Sequence, residues 1–129
     1  MVILFDKFNL PNDIYEIIFA TKQQKIVAKL LIKEIKKNNN ELTKTQMSNF
    51  ATALHDNNFI TEEIDEPELK GKKVKISYNK RQFYDRILTP MKAMGLIDYD
   101  LYRKVYKISD NFNKAMIKIG LMWVREIRH

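Results

Sequence analysis

The sequence contains few of the residues on which most catalytic sites depend. Among its 129 residues there is no cysteine, and the only histidines are His55 and His129. Disulfide scaffolds, thiolate metal sites and cysteine nucleophiles are therefore excluded. The three glycines, Gly71, Gly95 and Gly120, are too few for a glycine-rich phosphate loop. We expect no enzyme, cofactor or metal site, and we interpret His55 as a surface residue near the end of a helix.

The hydrophobic residues form no segment of the kind that enters a membrane. The apolar stretch at residues 1–5 is interrupted by Asp6 and Lys7, which leaves it far shorter than a signal-peptide core or a transmembrane helix. We therefore predict an intracellular, cytoplasmic protein with no membrane partner.

Positive charge is the strongest feature of the composition. The chain carries 23 Lys and Arg against 16 Asp and Glu, a net charge of +7. The excess is uneven, because residues 1–40 carry +3, residues 41–70 carry −5 and residues 71–129 carry +9. The acidic segment, with Pro67 inside it, is typical of a solvated loop. The basic C-terminal half predicts attraction to a polyanion, and nucleic acid is the commonest such partner.

Apolar residues at helical spacing predict three helices in the N-terminal half. The first begins near Asp13, and the second runs from Ile26 to Ile35 before a run of three asparagines. Thr43 or Thr45 is expected to cap the third by accepting a hydrogen bond from a free N–H. The predicted buried positions of this third helix are Met47, Phe50, Ala51 and Leu54.

A basic helix is predicted over about residues 78–95, after a long connection at residues 57–77. Ser77 is its expected N-cap and Gly95 its end. Pro90 is expected to kink the helix, because proline lacks the N–H that would bond to the carbonyl four residues earlier. The predicted buried stripe consists of Phe83, Ile87, Met91 and Met94, with Tyr84 and Leu88 beside it. The second half of the connection, residues 73–77, alternates as an extended strand does.

A two-stranded hairpin and a final helix complete the predicted elements. Alternation places the strands at residues 96–99 and 104–108, and since two strands alone are marginally stable, they must pack against helices. Ser109 or Asp110 is expected to cap the last helix. Its predicted core stripe is Phe112, Met116, Ile119, Trp123 and Ile127. A second stripe, at Ile117, Leu121 and Val124, predicts a homodimer interface, and the alternative is that residues 2–8 wrap around it.

Two short motifs connect the basic helix, the hairpin and the last helix. Residues 83–97 read Phe-Tyr-Asp-Arg-Ile-Leu-Thr-Pro-Met-Lys-Ala-Met-Gly-Leu-Ile, a helix that ends in glycine and continues into a strand. Tyr106-Lys107-Ile108-Ser109, followed by Asn111-Phe112, leads from the second strand into the final helix. In these motifs and in the order of its elements, the sequence resembles the winged helix-turn-helix superfamily, particularly its small transcription regulators. The resemblance covers roughly residues 22–129 and departs from the family pattern in the long connection.

The resemblance implies a mainly α fold with a small β-hairpin (α+β), a winged helix-turn-helix with an additional C-terminal dimerisation helix. Residues 1–129 would form a single domain, with an N-terminal extension at 1–21, a winged-helix core at 22–109 and the C-terminal helix at 110–129. The recognition helix lies at about 78–95 and the wing at about 96–108. We expect the strand at 73–77 to pair with the wing in a three-stranded sheet.

Side chains opposite the buried stripe of the basic helix are the candidates for DNA contact, since a helix enters the major groove side-on. Amide and guanidinium groups pair bidentately with adenine and guanine, and the predicted base contacts are Asn79, Arg81, Gln82 and Arg86. The predicted contacts to the DNA backbone are Lys72, Lys73, Lys75, Tyr78, Lys80, Thr89 and Lys92. The predicted wing contacts are Tyr102, Arg103 and Lys104. Asp85 is placed to orient Arg81 or Arg86.

These features predict a homodimeric protein that binds double-stranded DNA sequence-specifically and regulates transcription. Two alternatives keep the fold: a plasmid- or viral-type replication, partition or architectural DNA-binding protein, and a winged-helix adaptor that binds another protein. No effector site is predicted, because the methionines and aromatic residues are explained as core.

Overall fold

The first two secondary-structure elements of the described residues are helices. The computed structural model describes residues 6–56 and 78–128. Helix α1 (Ile14–Ile18) begins after Asp13, whose side chain accepts a hydrogen bond from the backbone N–H of Tyr15. Helix α2 (Lys22–Lys37) begins after Thr21, which forms a reciprocal capping box with Gln24. The predicted start of the first helix and the periodicity of the second are confirmed.

The asparagine run after α2 makes the turn into the sheet. Asn39 and Asn40 have φ angles of 59° and 65°, a left-handed conformation that asparagine adopts more readily than most residues. Strand β1 (Glu41–Thr43) follows directly, and helix α3 (Lys44–His55) follows that strand. Thr43 ends the strand and caps α3 in a second capping box. This strand was not among the predicted elements.

The basic helix is continuous over residues 80–93 but changes its hydrogen bonding midway. It consists of α4 (Lys80–Phe83), a π-helical turn (Tyr84–Leu88) and α5 (Thr89–Ala93), and we call it the segmented helix. Its N-cap is Asn79, two residues after the predicted Ser77, which lies outside the described residues. The backbone N–H of Thr89 bonds to the carbonyl of Tyr84, five residues earlier. This π turn lies directly before Pro90, the residue at which we expected a kink.

Gly95 ends the segmented helix as predicted. Its φ is +83°, and Leu96 and Gly95 donate backbone hydrogen bonds to the carbonyls of Met91 and Lys92 at 3.0 and 3.1 Å, the pattern of a Schellman motif. A Cβ atom at this position would lie 2.8 Å from the backbone nitrogen of Phe112. The absence of a side chain at Gly95 therefore also allows the start of the last helix to approach closely.

Within the described residues the sheet is antiparallel and has three strands in the order β1-β3-β2, where β2 is Ile97–Asp100 and β3 is Val105–Ile108. The hairpin is confirmed. The expectation of a third strand is right, but the strand is Glu41–Thr43 and it pairs with β3. The segment predicted for that role, 73–77, lies outside the described residues. A three-residue strand carries too little alternation to be recognised from sequence.

The core lies between α2, α3, the segmented helix and one face of the sheet. Its members include most of the apolar positions that periodicity predicts. The largest fully buried side chains are Phe83, Ile26, Leu31, Ile35, Leu42, Met47, Leu54, Ile87, Leu88, Met91 and Ile97.

The last helix, α6 (Asn111–Ile127), was predicted to bury one apolar stripe in the core, and in the structure it does not. Its first backbone N–H is capped by the Ser109 hydroxyl at 3.1 Å, whereas the Asp110 side chain makes no capping bond. No residue of α6 is buried, so the predicted core stripe is wrong beyond the half-buried Phe112. The wrapping alternative gains no support, because Phe8 is 81% exposed; residues 2–5 lie outside the described part.

Candidate nucleic-acid interface

The exposed face of the segmented helix is basic. Burial of its apolar stripe turns the opposite side chains toward solvent. The exposed polar residues on that side are Lys80, Arg81, Asp85, Arg86, Thr89 and Lys92. Four of them are cations and one is an anion, so this face carries a positive potential.

Arg81 and Arg86 are the exposed guanidinium groups of this face. Arg81 Nε lies 3.7 Å from Asp85 Oδ2, with side chains 91% and 66% exposed, which agrees with the predicted contact between these residues. Exposed ion pairs contribute little, so Arg81 can exchange this carboxylate for another anion at small cost. Arg86 is exposed, and no ion pair to it occurs within the described residues. Both arginines are thus available to a ligand.

Asn79 and Gln82, two predicted base contacts, form the capping box of α4. Asn79 Oδ1 accepts a hydrogen bond from the Gln82 N–H at 2.8 Å, and Gln82 Oε1 accepts one from the Asn79 N–H at 3.1 Å. Bidentate pairing with adenine requires the amide oxygen as well as the amide nitrogen. Both oxygens already accept a hydrogen bond at the helix start, so capping is the role that the structure gives these two side chains, and base contact by them stays a prediction.

The residues predicted to contact the DNA backbone lie in several different environments. Tyr78 is only 6% exposed and belongs to the core, so its assignment as a surface contact is corrected. Lys80 is exposed and its Nζ donates to the Ser48 hydroxyl at 2.6 Å, which links α4 to α3. Thr89 and Lys92 are exposed on the basic face. The remaining three, Lys72, Lys73 and Lys75, lie outside the described residues.

At the tip of the hairpin, Tyr102 is 98% exposed and Lys104 is also exposed. Arg103 instead forms a bidentate ion pair with Glu41, with both N···O distances at 2.7 Å. This pair ties the hairpin turn to β1 and leaves Arg103 less free than expected. Glu41 lies 62 residues earlier in the chain, so no local pattern could have indicated it.

A group of tyrosines and lysines beside the basic face was not predicted as a unit. Tyr99 and Tyr106 pair across the hairpin with ring centroids 4.7 Å apart. Lys44 Nζ lies 5.5 Å from the Tyr99 centroid, and Lys92 Nζ lies 5.8 Å from the centroids of both rings. We call these four residues, with Tyr84, the tyrosine–lysine cluster. No local pattern indicates it, because its members come from α3, from the segmented helix and from both strands of the hairpin.

The predicted dimer residues lie on the unpacked helix α6. Ile117 and Leu121 are 64% and 56% exposed, and Val124 is half-buried. Trp123 and Ile127, which were assigned to the core stripe, are as exposed as the dimer stripe. The apolar surface of α6 is therefore wider than expected.

Comparisons of the chain with protein-family models, curated proteins and solved structures gave no match. Within residues 6–56 and 78–128, no helix has the length and apolar character needed to cross a membrane. The same residues contain no group of three His, Cys, Asp or Glu side chains that could hold a metal ion. His55 is exposed at the end of α3, as expected.

Proposed function

We propose that this chain is a winged helix-turn-helix protein that binds double-stranded DNA sequence-specifically as a homodimer and regulates transcription. The order of α2, α3, the segmented helix and the hairpin supports this fold, as does the glycine turn that joins the last two. In this arrangement the segmented helix is the recognition helix and the β2–β3 hairpin is the wing.

The observation that carries the proposal is the exposed basic face of the segmented helix. A helix in the major groove presents one face to base edges, and the groove is flanked by phosphates. Arg81 and Arg86 supply the guanidinium groups that pair bidentately with guanine. Lys80, Thr89 and Lys92 supply contacts that position the helix on the backbone. Tyr102 and Lys104 at the hairpin tip are the wing contacts.

The test is a selection from random DNA duplexes, followed by measurement of affinity against salt concentration and of the number of chains bound. We expect one short palindrome bound by two chains. With 6–10 phosphate contacts, affinity should fall by about 10³–10⁵ between roughly 50 and 200 mM salt. Coating of long duplexes without a preferred site would favour the architectural alternative. Affinity that does not change with salt would contradict DNA binding altogether.

Point variants assign the base contacts. Arg81→Ala and Arg86→Ala should each weaken binding to the selected duplex by about 1–3 kcal/mol and relax preference at one base pair. Lys36→Ala, at an exposed position of α2 that is not among the proposed contacts, is the control and should bind as the parent does. Equal losses in all three variants would argue against specific contacts by the two arginines.

The proposed homodimer is supported by the apolar surface of α6. Seven large apolar side chains of this helix are 45–64% exposed: Met116, Ile117, Ile119, Leu121, Met122, Trp123 and Ile127. Helical geometry places Lys114, Lys118 and Arg125 together on one side, with Leu121 at the border of that side. Five of the seven, Met116, Ile117, Ile119, Trp123 and Ile127, lie away from these cations, and at on the order of 100 Å² each they would supply more than half of the ~800 Å² per partner of a stable interface. A second copy brings a matching uncharged face, so we commit to a second copy as the occupant.

Sedimentation of the chain over a range of concentrations tests the dimer. We expect a monomer–dimer equilibrium that Ile117→Lys shifts to monomer, because the interface would then bury an unpaired charge. Leu101→Lys is the matched control, since Leu101 is 75% exposed on the hairpin turn and should leave the equilibrium unchanged. A parent chain that stays monomeric throughout would overturn the dimer without affecting the proposal of DNA binding.

A further inference from the structure

The tyrosine–lysine cluster gathers two positive charges without a carboxylate to neutralise them. Lys44 Nζ and Lys92 Nζ lie 5.5 and 5.8 Å from the centroid of the same ring, that of Tyr99. In the part of the chain that the structure describes, neither ammonium group forms an ion pair. Both ammonium groups contact the same aromatic ring, and such contacts offset only part of the cost of two positive charges that have no carboxylate partner. The arrangement therefore favours an anion between or beside them.

The cluster is assembled from several elements and is not a chance feature of one helix surface. Lys44 is the first residue of α3, Lys92 belongs to α5, and Tyr99 and Tyr106 face each other on β2 and β3. Tyr106 is only 9% exposed, which fixes its ring at the edge of the core. The positions of the two tyrosines are set by strand pairing, so the cluster is preorganised.

The rings of Tyr99 and Tyr106 are in contact, with centroids 4.7 Å apart. Burial raises the pKa of Tyr106, and the neighbouring Tyr84 and Tyr99 raise it further. Burial also raises the pKa of Tyr84. A phenol hydroxyl can donate a hydrogen bond to an anion, and each lysine ammonium offers three donors.

We propose that Lys44 and Lys92, together with the hydroxyls of Tyr99 and Tyr106, bind a phosphate group. Two ammonium groups and two hydroxyl donors match an anion with several acceptor oxygens better than a single carboxylate. Lys92 also belongs to the exposed basic face of the segmented helix, so the site adjoins the proposed DNA surface. The assignment of the phosphate to the DNA backbone rests on the proposed function, whereas binding of inorganic phosphate does not.

Titration with inorganic phosphate at constant ionic strength tests the site itself. Resonances of the Tyr99 and Tyr106 rings, observed by NMR, should shift and saturate in the parent chain. The shifts should disappear in the Lys44→Gln/Lys92→Gln variant and persist in Lys36→Gln, a control at an exposed lysine of α2. Tyr106→Phe, which keeps the ring, should weaken phosphate binding without removing it. Small shifts that never saturate and are the same in all variants would overturn the site.

Binding to the selected duplex then distinguishes the two sources of phosphate. If the site binds the DNA backbone, Lys44→Gln/Lys92→Gln should reduce the slope of log affinity against log salt by about 0.9 for each phosphate that the variant no longer neutralises. A saturating phosphate titration with an unchanged slope would assign the site to free phosphate or a phosphorylated small molecule. If the parent chain binds no duplex, the proposed function fails, and the phosphate titration still decides whether the site exists.

Discussion

Individual side chains at the start of the segmented helix have structural partners that limit what they can bind. Asn79 and Gln82 satisfy each other's backbone donors, and Lys80 is held by the Ser48 hydroxyl. Arg81, in contrast, is 91% exposed and only loosely paired with Asp85. At the residue scale, Arg81 and Arg86 are therefore the strongest candidates for base contact. The Asn79–Gln82 capping box fixes the helix start that precedes them.

Substitutions at Asn79 separate capping from base contact. Asn79→Ala should lower the free energy of unfolding by about 1 kcal/mol, because it removes the cap, whereas Asn79→Ser retains a capping oxygen and should be close to the parent. Urea unfolding measures both. Asn79→Ser should also bind the selected duplex with the parent's affinity. A tenfold loss of affinity in this variant, at unchanged stability, would restore Asn79 as a base contact.

At the scale of elements, the hairpin is held in shape by its own turn and by β1. Asp100 Oδ1 accepts hydrogen bonds from the backbone N–H groups of Tyr102 and Arg103 at 3.0 and 3.1 Å. Lys104 closes the turn with a φ of 56° and a 2.7 Å bond from its N–H to the Asp100 carbonyl. The Arg103–Glu41 pair connects the turn to the far strand of the sheet. A hairpin built in this way presents Tyr102 and Lys104 from a defined position.

The turn should loosen in acid. The hydrogen bond from the Arg103 N–H, and the one from Tyr102, hold the pKa of Asp100 below its ordinary value of 3.8. Since the folded-state pKa is the lower one, this carboxylate stabilises the turn fully above about pH 4 and loses that effect as the pH falls through the folded-state value. The protection factors of the Tyr102 and Arg103 amides, which correct for the pH dependence of intrinsic exchange, should fall over that range.

Asp100→Asn is the control for this effect, because its side-chain oxygen can accept the same bonds without titrating. In this variant, the protection factors of the two amides should not change over the pH range in which Asp100 titrates in the parent. A variant whose turn amides show the parent's dependence on pH would show that another group controls the turn.

At the scale of the whole molecule, the apolar residues divide into two unlike populations. Those of α2, α3, the segmented helix and the inner face of the sheet are almost completely buried, whereas those of α6 are about half exposed. The first population stabilises the folded chain on its own. The second contributes little to the isolated chain and is available to a partner.

A matched pair of leucine truncations tests this division. Leu31→Ala, at a position with no exposed surface, should cost about 2–5 kcal/mol in the free energy of unfolding. Leu121→Ala, at 56% exposure, should change it by less than about 0.5 kcal/mol at concentrations where the chain is monomeric. Urea unfolding at low and high protein concentration measures both effects. A large loss for Leu121→Ala in the dilute chain would mean that α6 packs on its own domain.

Much of the fold is predictable from local sequence, because helix periodicity, capping residues and the glycine stop act over a few neighbouring positions. The core positions of α2, α3 and the segmented helix, the hairpin and the end at Gly95 all follow from such patterns. The candidate site is predictable only in outline, since charge and periodicity indicate the basic face but do not show which of its side chains are occupied.

Contacts between distant residues were decided by the tertiary structure alone. Pairing of β1 with β3 brings Glu41 to Arg103, and packing of α3 and α5 beside the hairpin brings Lys44 and Lys92 to Tyr99. The exposure of α6 likewise depends on where the chain leaves the sheet, and not on the apolar pattern of the helix. Local patterns specify which face of an element is apolar, but only the packing of all elements determines which faces meet.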